Sequence, residues 1–139
     1  MAFKKITGGC LCGALAYEAE VDENSMGLCH CRDCQILGGS AFRVAAMVAP
    51  GKFHLTKGTP TYFEKTADSG NIRRLMFCGT CGTHLTGEPP EGQPGFISLR
   101  LASADQFADF APTFEVFCAS QVPWWQQVDG TTAFDKMPG

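Results

Sequence analysis

The chain has 139 residues, 45% of them apolar and 18% charged, with a formal net charge of -3 and a pI near 5.5. That length suits one domain, residues 1–139, and that composition excludes a disordered chain. With no basic run and no long apolar window, the sequence predicts a soluble, cytoplasmic protein that partners neither nucleic acid nor membrane, and it leaves the oligomeric state open.

The N-terminal MAFKKITGG carries two lysines with no apolar stretch behind them, which is not an export signal. ALAYEAE (14–20), AFRVAAMVA (41–49), KFHLT (52–56), TYFEK (61–65), IRRLMF (72–77), FISLRLA (96–102) and TFEVFCA (113–119) then alternate, or concentrate β-branched and aromatic residues, as strands do. PGK, KGTP, DSGN, ADFAP and the loop EPPEGQPG (88–95) separate them as turns. Helix signals are confined to RDCQIL, ahead of Gly38 and Gly39, and to SADQF, where Ser103 is a candidate cap. The expectation is a mostly β domain of small antiparallel sheets.

Eight cysteines are the anomaly. Seven of them form a CxC at Cys10 and Cys12, a CxCxxC at Cys29, Cys31 and Cys34, and a CxxC at Cys78 and Cys81. Residues two apart on a strand have α-carbons roughly 6.5 to 7 Å apart, at or beyond the limit for a disulfide, so the spacings favour metal thiolates. In CLCGA and CGTCGT the second cysteine precedes a glycine, which can adopt positive φ and turn backbone N–H groups toward sulfur. Each is half of a knuckle. Joined, Cys10, Cys12, Cys78 and Cys81 make a closed zinc site with a structural role.

GLCHCRDCQILGGS (27–40) is built differently, with three ligands in one loop and Gln35 after Cys34. A metal on three protein ligands keeps a position for water or substrate, which is how catalytic zinc sites differ from structural ones. Cys118, in TFEVFCAS, is the rival fourth ligand, set against its reading as a small buried hydrophobe. His30 alternates with Cys29 and Cys31 and so points away from them, and His54 and His84 read as surface or core residues. A partition grouping Cys10, Cys12, Cys29 and Cys31 also satisfies the spacing, but it strands Cys78 and Cys81.

GGCLCGALAY, CHCRDC with GGS, SGNIRRLMFCGTCGTHL and PTFEVFCASQVPWW together resemble the glutathione-dependent formaldehyde-activating enzyme family, the CENP-V/GFA type of domain, from about Gly8 to Trp124. The resemblance implies an Mss4-like, β-tent fold with two zinc ions, one structural on Cys10, Cys12, Cys78 and Cys81 and one catalytic on Cys29, Cys31 and Cys34. It implies a carbon-sulfur lyase of the S-(hydroxymethyl)glutathione synthase type, with glutathione and formaldehyde as substrates. Many members have His-Ile-Phe where this chain has Glu115, Val116 and Phe117, a departure that points to a different substrate. Arg32, Arg73 and Arg74 are candidates for substrate carboxylates, and Trp124 and Trp125 for a pocket wall. The other functional classes are a non-catalytic zinc scaffold and a redox-sensing zinc thiolate.

Overall fold

One strand organises the sheet. In the computed structural model, which describes residues 2–138, AFRVAAMVA and KFHLT belong to a single strand, β4 (Arg43–Lys57), that pairs with β2, β3 and β8. Before it come β1 (Phe3–Gly9), β2 (Ala16–Asp22), β3 (Gly27–Cys29) and a helix, α1 (Arg32–Gly38). After it come β5 (Thr61–Thr66), β6 (Ile72–Phe77), β7 (His84–Glu88), β8 (Ser98–Leu99), β9 (Phe114–Val116) and β10 (Thr132–Ala133). The spatial order is β10-β9-β3-β4-β8-β7-β6-β5, with β2 joining β4 and β1 joining β2.

The turn expected at PGK is a bulge. Val21 faces Val48 and Ala19 faces Phe53, so the segment between Val48 and Phe53 loops out against a single intervening residue of β2, with Gly51 at φ 72°. Both flanks pair with the same neighbour, so the chain buckles there and does not reverse. Pairing is antiparallel as expected, except that β9 runs parallel to β3 and to β10. The connection from β8 to β9 winds through 3-10 turns at Leu101–Ser103 and Phe107–Asp109 and is long enough for a parallel return. Ser103 caps no helix; its hydroxyl donates to the Arg100 carbonyl and meets Tyr17 Oη at 2.8 Å.

β1, β3, β7 and β10 go beyond the strands expected from sequence. β1 buries only Ile6 fully, and near its end a side chain on Gly8 would strike Tyr17. The core joins Ile6, Tyr17 and Val21 to Val48, Leu85 and Leu99. Each such side chain contributes roughly 1.5–3 kcal/mol on burial. No helix among the described residues is long and apolar enough to cross a membrane.

Candidate metal centres

Cys10 and Cys12 leave the end of β1, and Cys78 and Cys81 form the turn from β6 to β7. The sequence separates the pairs widely, yet all four sulfurs lie within 4.8 Å of one another. Both knuckle glycines have the expected conformation, with Gly13 and Gly82 each at φ 81°. The resulting turns aim backbone N–H groups at sulfur: Leu15 N donates to Cys10 Sγ at 3.2 Å and Thr80 N to Cys78 Sγ at 3.4 Å. Thr83 bridges the halves, its Oγ1 accepting Leu11 N at 3.1 Å and lying 3.2 Å from Cys81 Sγ. That hydroxyl leads the contacts holding the Cys81 thiol down at about 5.

Spacing tests the fit to a metal. A tetrahedron with metal–sulfur bonds near 2.3 Å has edges of about 3.8 Å. Cys12 Sγ lies 3.7 Å from both Cys10 Sγ and Cys78 Sγ. None of the eight cysteines is in a disulfide.

The second cluster spans the end of β3 and the start of α1. Cys31 caps the helix, its Sγ accepting Cys34 N–H at 3.3 Å, and Cys34 Sγ lies 3.5 Å from Cys29 Sγ. Hydrogen bonds from Cys29 and then Cys34 hold the Cys31 thiol far down, while Cys31 and Cys34 push Cys29 up. These opposed shifts come from three sulfurs packed closely enough to interact directly. Among the described residues, no other histidine, cysteine or acid completes this set.

Cys118 does not close it. Its sulfur groups with His30 and Glu115 instead, all three ligand atoms within 4.8 Å. His30 is 0% exposed, turned away from the cysteines as its alternation predicts, and its Nε2 meets Glu115 Oε1 at 2.7 Å. Trp125 Nε1 and Val128 N donate to the Glu115 carboxylate at 2.8 Å each, and Thr131 Oγ1 at 3.3 Å. Burial alone would raise the Glu115 pKa, but Val128 N–H, His30 and Trp125 outweigh it and hold the carboxyl below its usual range. With both oxygens engaged by donors, this group is a hydrogen-bonded hub and not a ligand set.

The remaining candidates are scattered. Arg32 is exposed and reaches Gln35 Oε1 at 3.3 Å. Arg73 donates to the carbonyls of Gly87 and Phe96, and Arg74 lies 3.8 Å over the Tyr62 ring beside Glu88. Trp124 is 71% exposed, while Trp125 packs 4.4 Å from Phe42. His54 is exposed on a groove of about 380 Å³ whose lining contains no cysteine. Sequence reasoning missed three residues near the second cluster: Glu115 as a hub, and the buried Arg43 and part-buried Arg100. An arginine inside each of the apolar runs AFRVAAMVA and FISLRLA was the available signal.

Comparisons with known proteins agree with these features. Residues 5–120 match the family model described as glutathione-dependent formaldehyde-activating enzyme. A Schizosaccharomyces pombe protein named an uncharacterized lyase is 28% identical over 95 residues, 68% of this chain. The match covers 66% of that protein, just under two thirds. A crystal structure of a Rhodobacter sphaeroides protein aligns with a TM-score of 0.56 at 18% identity, covering 92% of this chain and 98% of that one, a likeness of fold.

Proposed function

The chain belongs to the glutathione-dependent formaldehyde-activating enzyme family, and from that premise we propose a zinc-dependent carbon-sulfur lyase that adds glutathione, or a related thiol, to formaldehyde or a similar small electrophile. The observation that carries this reading is the contrast between two clusters: four sulfurs within reach of one ion, enough for tetrahedral ligation, and three, Cys29, Cys31 and Cys34, one short of it. In this reading Cys10, Cys12, Cys78 and Cys81 hold a structural zinc, and the trio holds a catalytic one.

The reaction balances without a co-reactant. The thiol sulfur bonds to the aldehyde carbon, and the thiol proton ends on the aldehyde oxygen. Bound at the trio, zinc would supply a positive charge that favours the thiolate form of an incoming thiol. The protein's own part is positional. Cys34 N–H fixes Cys31 at the start of α1. Gln35 Nε2 donates to the carbonyls of His30 and Ser120, both at 3.1 Å, tying the cysteine loop to the C-terminal segment. Lys65 Nζ holds Asp33 at 2.6 Å, bracing the outer side of α1 against β5.

Cobalt substitution tests the proposal. The expected spectrum combines one four-sulfur site with one three-sulfur site whose fourth ligand exchanges, and glutathione should perturb only the second. Two four-sulfur spectra, or product forming no faster than the uncatalysed rate, would favour a non-catalytic scaffold.

A further inference from the structure

Two arginines lie near the trio without a carboxylate partner. Arg43, 7% exposed, opens β4 directly opposite Cys29 of β3. Its guanidinium packs against Gly38 at the end of α1, where a Cβ would lie in ordinary contact 3.5 Å from Arg43 Nη2. Arg100 follows β8, where Ala46 of β4 faces Leu99. The same register carried on by one residue sets Arg100 across from Ala45, on the face that Arg43 shares. Arg100 Nη1 donates to Ser98 Oγ at 3.0 Å, and a Cβ on Gly87 would fall 2.9 Å from its Nη2. His84, at the start of β7, stacks on Phe77 with ring centroids 5.4 Å apart.

Each of the three side chains keeps one buried nitrogen without a hydrogen-bond partner: Arg43 Nη1, Arg100 Nε and His84 Nδ1. Neither Arg43 nor Arg100 makes a salt bridge among the described residues. They do feel one another and the cysteines. Burial and the Arg43 charge push Arg100 down to about 10, against the pull of Cys34 and Cys29. Burial, then Arg43 and Arg100, lowers His84 as well. Buried cations held near one another without a counter-ion are strongly unfavourable, and proteins keep such arrangements where an anion completes them.

Hydrogen-bonding chemistry identifies the ligand. Arg43 Nη1 and Arg100 Nε are N–H donors on cationic guanidinium groups, so an anionic oxygen acceptor completes them. A carboxylate supplies two such oxygens in the planar spacing that a guanidinium fork takes up. We propose that Arg43, Arg100 and His84 form a carboxylate subsite beside Cys29, Cys31 and Cys34, so that these side chains receive a carboxylate of the thiol substrate or its adduct. The inference rests on the thiol-addition reading for its substrate class, while the subsite itself rests on the arginines.

The experiment titrates 3-mercaptopropionate, its neutral counterpart 3-mercaptopropanol, and propionate into the metal-loaded protein by calorimetry. The cobalt-substituted form reports sulfur engagement. The acid is expected to bind about tenfold tighter than the alcohol, and propionate to shift the Arg100 Nε resonance. In Arg43→Met and Arg100→Met, where an unpaired buried charge gives way to an apolar chain, the preference should collapse to within about twofold. Equal binding of acid and alcohol by the unaltered protein, or a preference that survives both substitutions, overturns the subsite. If neither thiol alters the cobalt spectrum while propionate still shifts Arg100, the thiol-addition reading fails and the subsite stands.

Discussion

Replacing Glu115 with alanine is the most direct test of how the C-terminal segment is held against the cysteine loop. The carboxylate accepts from His30 Nε2, Trp125 Nε1, Val128 N and Thr131 Oγ1. Thr131 has a second acceptor in the Val128 carbonyl at 2.7 Å, so three donors would be stranded. The His30 donor is fully buried, and leaving a buried donor unsatisfied costs about 1–3 kcal/mol. The other two sit in a part-exposed loop where water can replace some of the loss. The sum is about 3–5 kcal/mol, the range found when one member of a buried pair is removed. That is a large share of a domain stability of about 5–15 kcal/mol. Glu115→Gln, which keeps one acceptor oxygen, should lose about 1–2 kcal/mol. Urea unfolding at fixed free zinc, followed by tryptophan fluorescence, measures both. Because the folded-state pKa of Glu115 is depressed, its contribution is present above the unfolded carboxylate pKa and is lost as pH falls through the folded one. The stability of Glu115→Gln should therefore fall less steeply than that of the parent on the acid side. A change below about 0.5 kcal/mol for Glu115→Ala would refute the hub.

On the proposed two-zinc reading, Cys31→Ser and Cys34→Ser should each remove one of the two ions while circular dichroism stays native, whereas Cys78→Ser should lose cooperative melting. Elemental analysis and thermal scans would check this, and loss of both metals from Cys34→Ser would count against independent sites. Gly82→Ala meets no atom within 4 Å, so only its φ of 81° resists, and about 1–2 kcal/mol of destabilisation is expected. Gly8→Ala places a Cβ 2.5 Å from Tyr17 Oη and against the Ser103 carbonyl, so it should cost more than Gly82→Ala. A melt showing the reverse order would refute that packing. In metal-free protein that keeps its fold, Cys31 should be alkylated ahead of Cys29 at mildly acidic pH, since its thiol is held down and that of Cys29 is pushed up. Mass mapping of the adducts gives the answer.

The grouping of the cysteines was legible because knuckle turns are local: spacing and a following glycine specify the turn, and Gly13 and Gly82 have the φ it needs. Strands with strong alternation were equally readable, β5 and β6 nearly to the residue. β1 was not, since Lys4, Lys5, Gly8 and Gly9 hide its single core residue, Ile6, and its pairing with β2 is a non-local fact. The end of β9 was also hidden. Phe117 adopts φ 54°, a left-handed conformation unusual for an aromatic residue, and the chain turns off into a 3-10 segment at Cys118. The hub and the arginines depend on side chains far apart in sequence meeting in space. Glu115 was noticed only as a departure from a family pattern, while the structure gives it four donors.

The separation of 66 residues between Cys12 and Cys78 makes the two cysteine centres nested. A link across the outer set encloses β2 through β6, and the trio lies wholly inside that ring. A peptide bond cut within the ring, at the DSGN turn for example, would leave both fragments fastened at the outer set, whereas a cut beyond Cys81 would release its fragment from that fastening. With a metal bound, the outer set would be the clasp on a loop of chain, and the inner set what the clasp encloses.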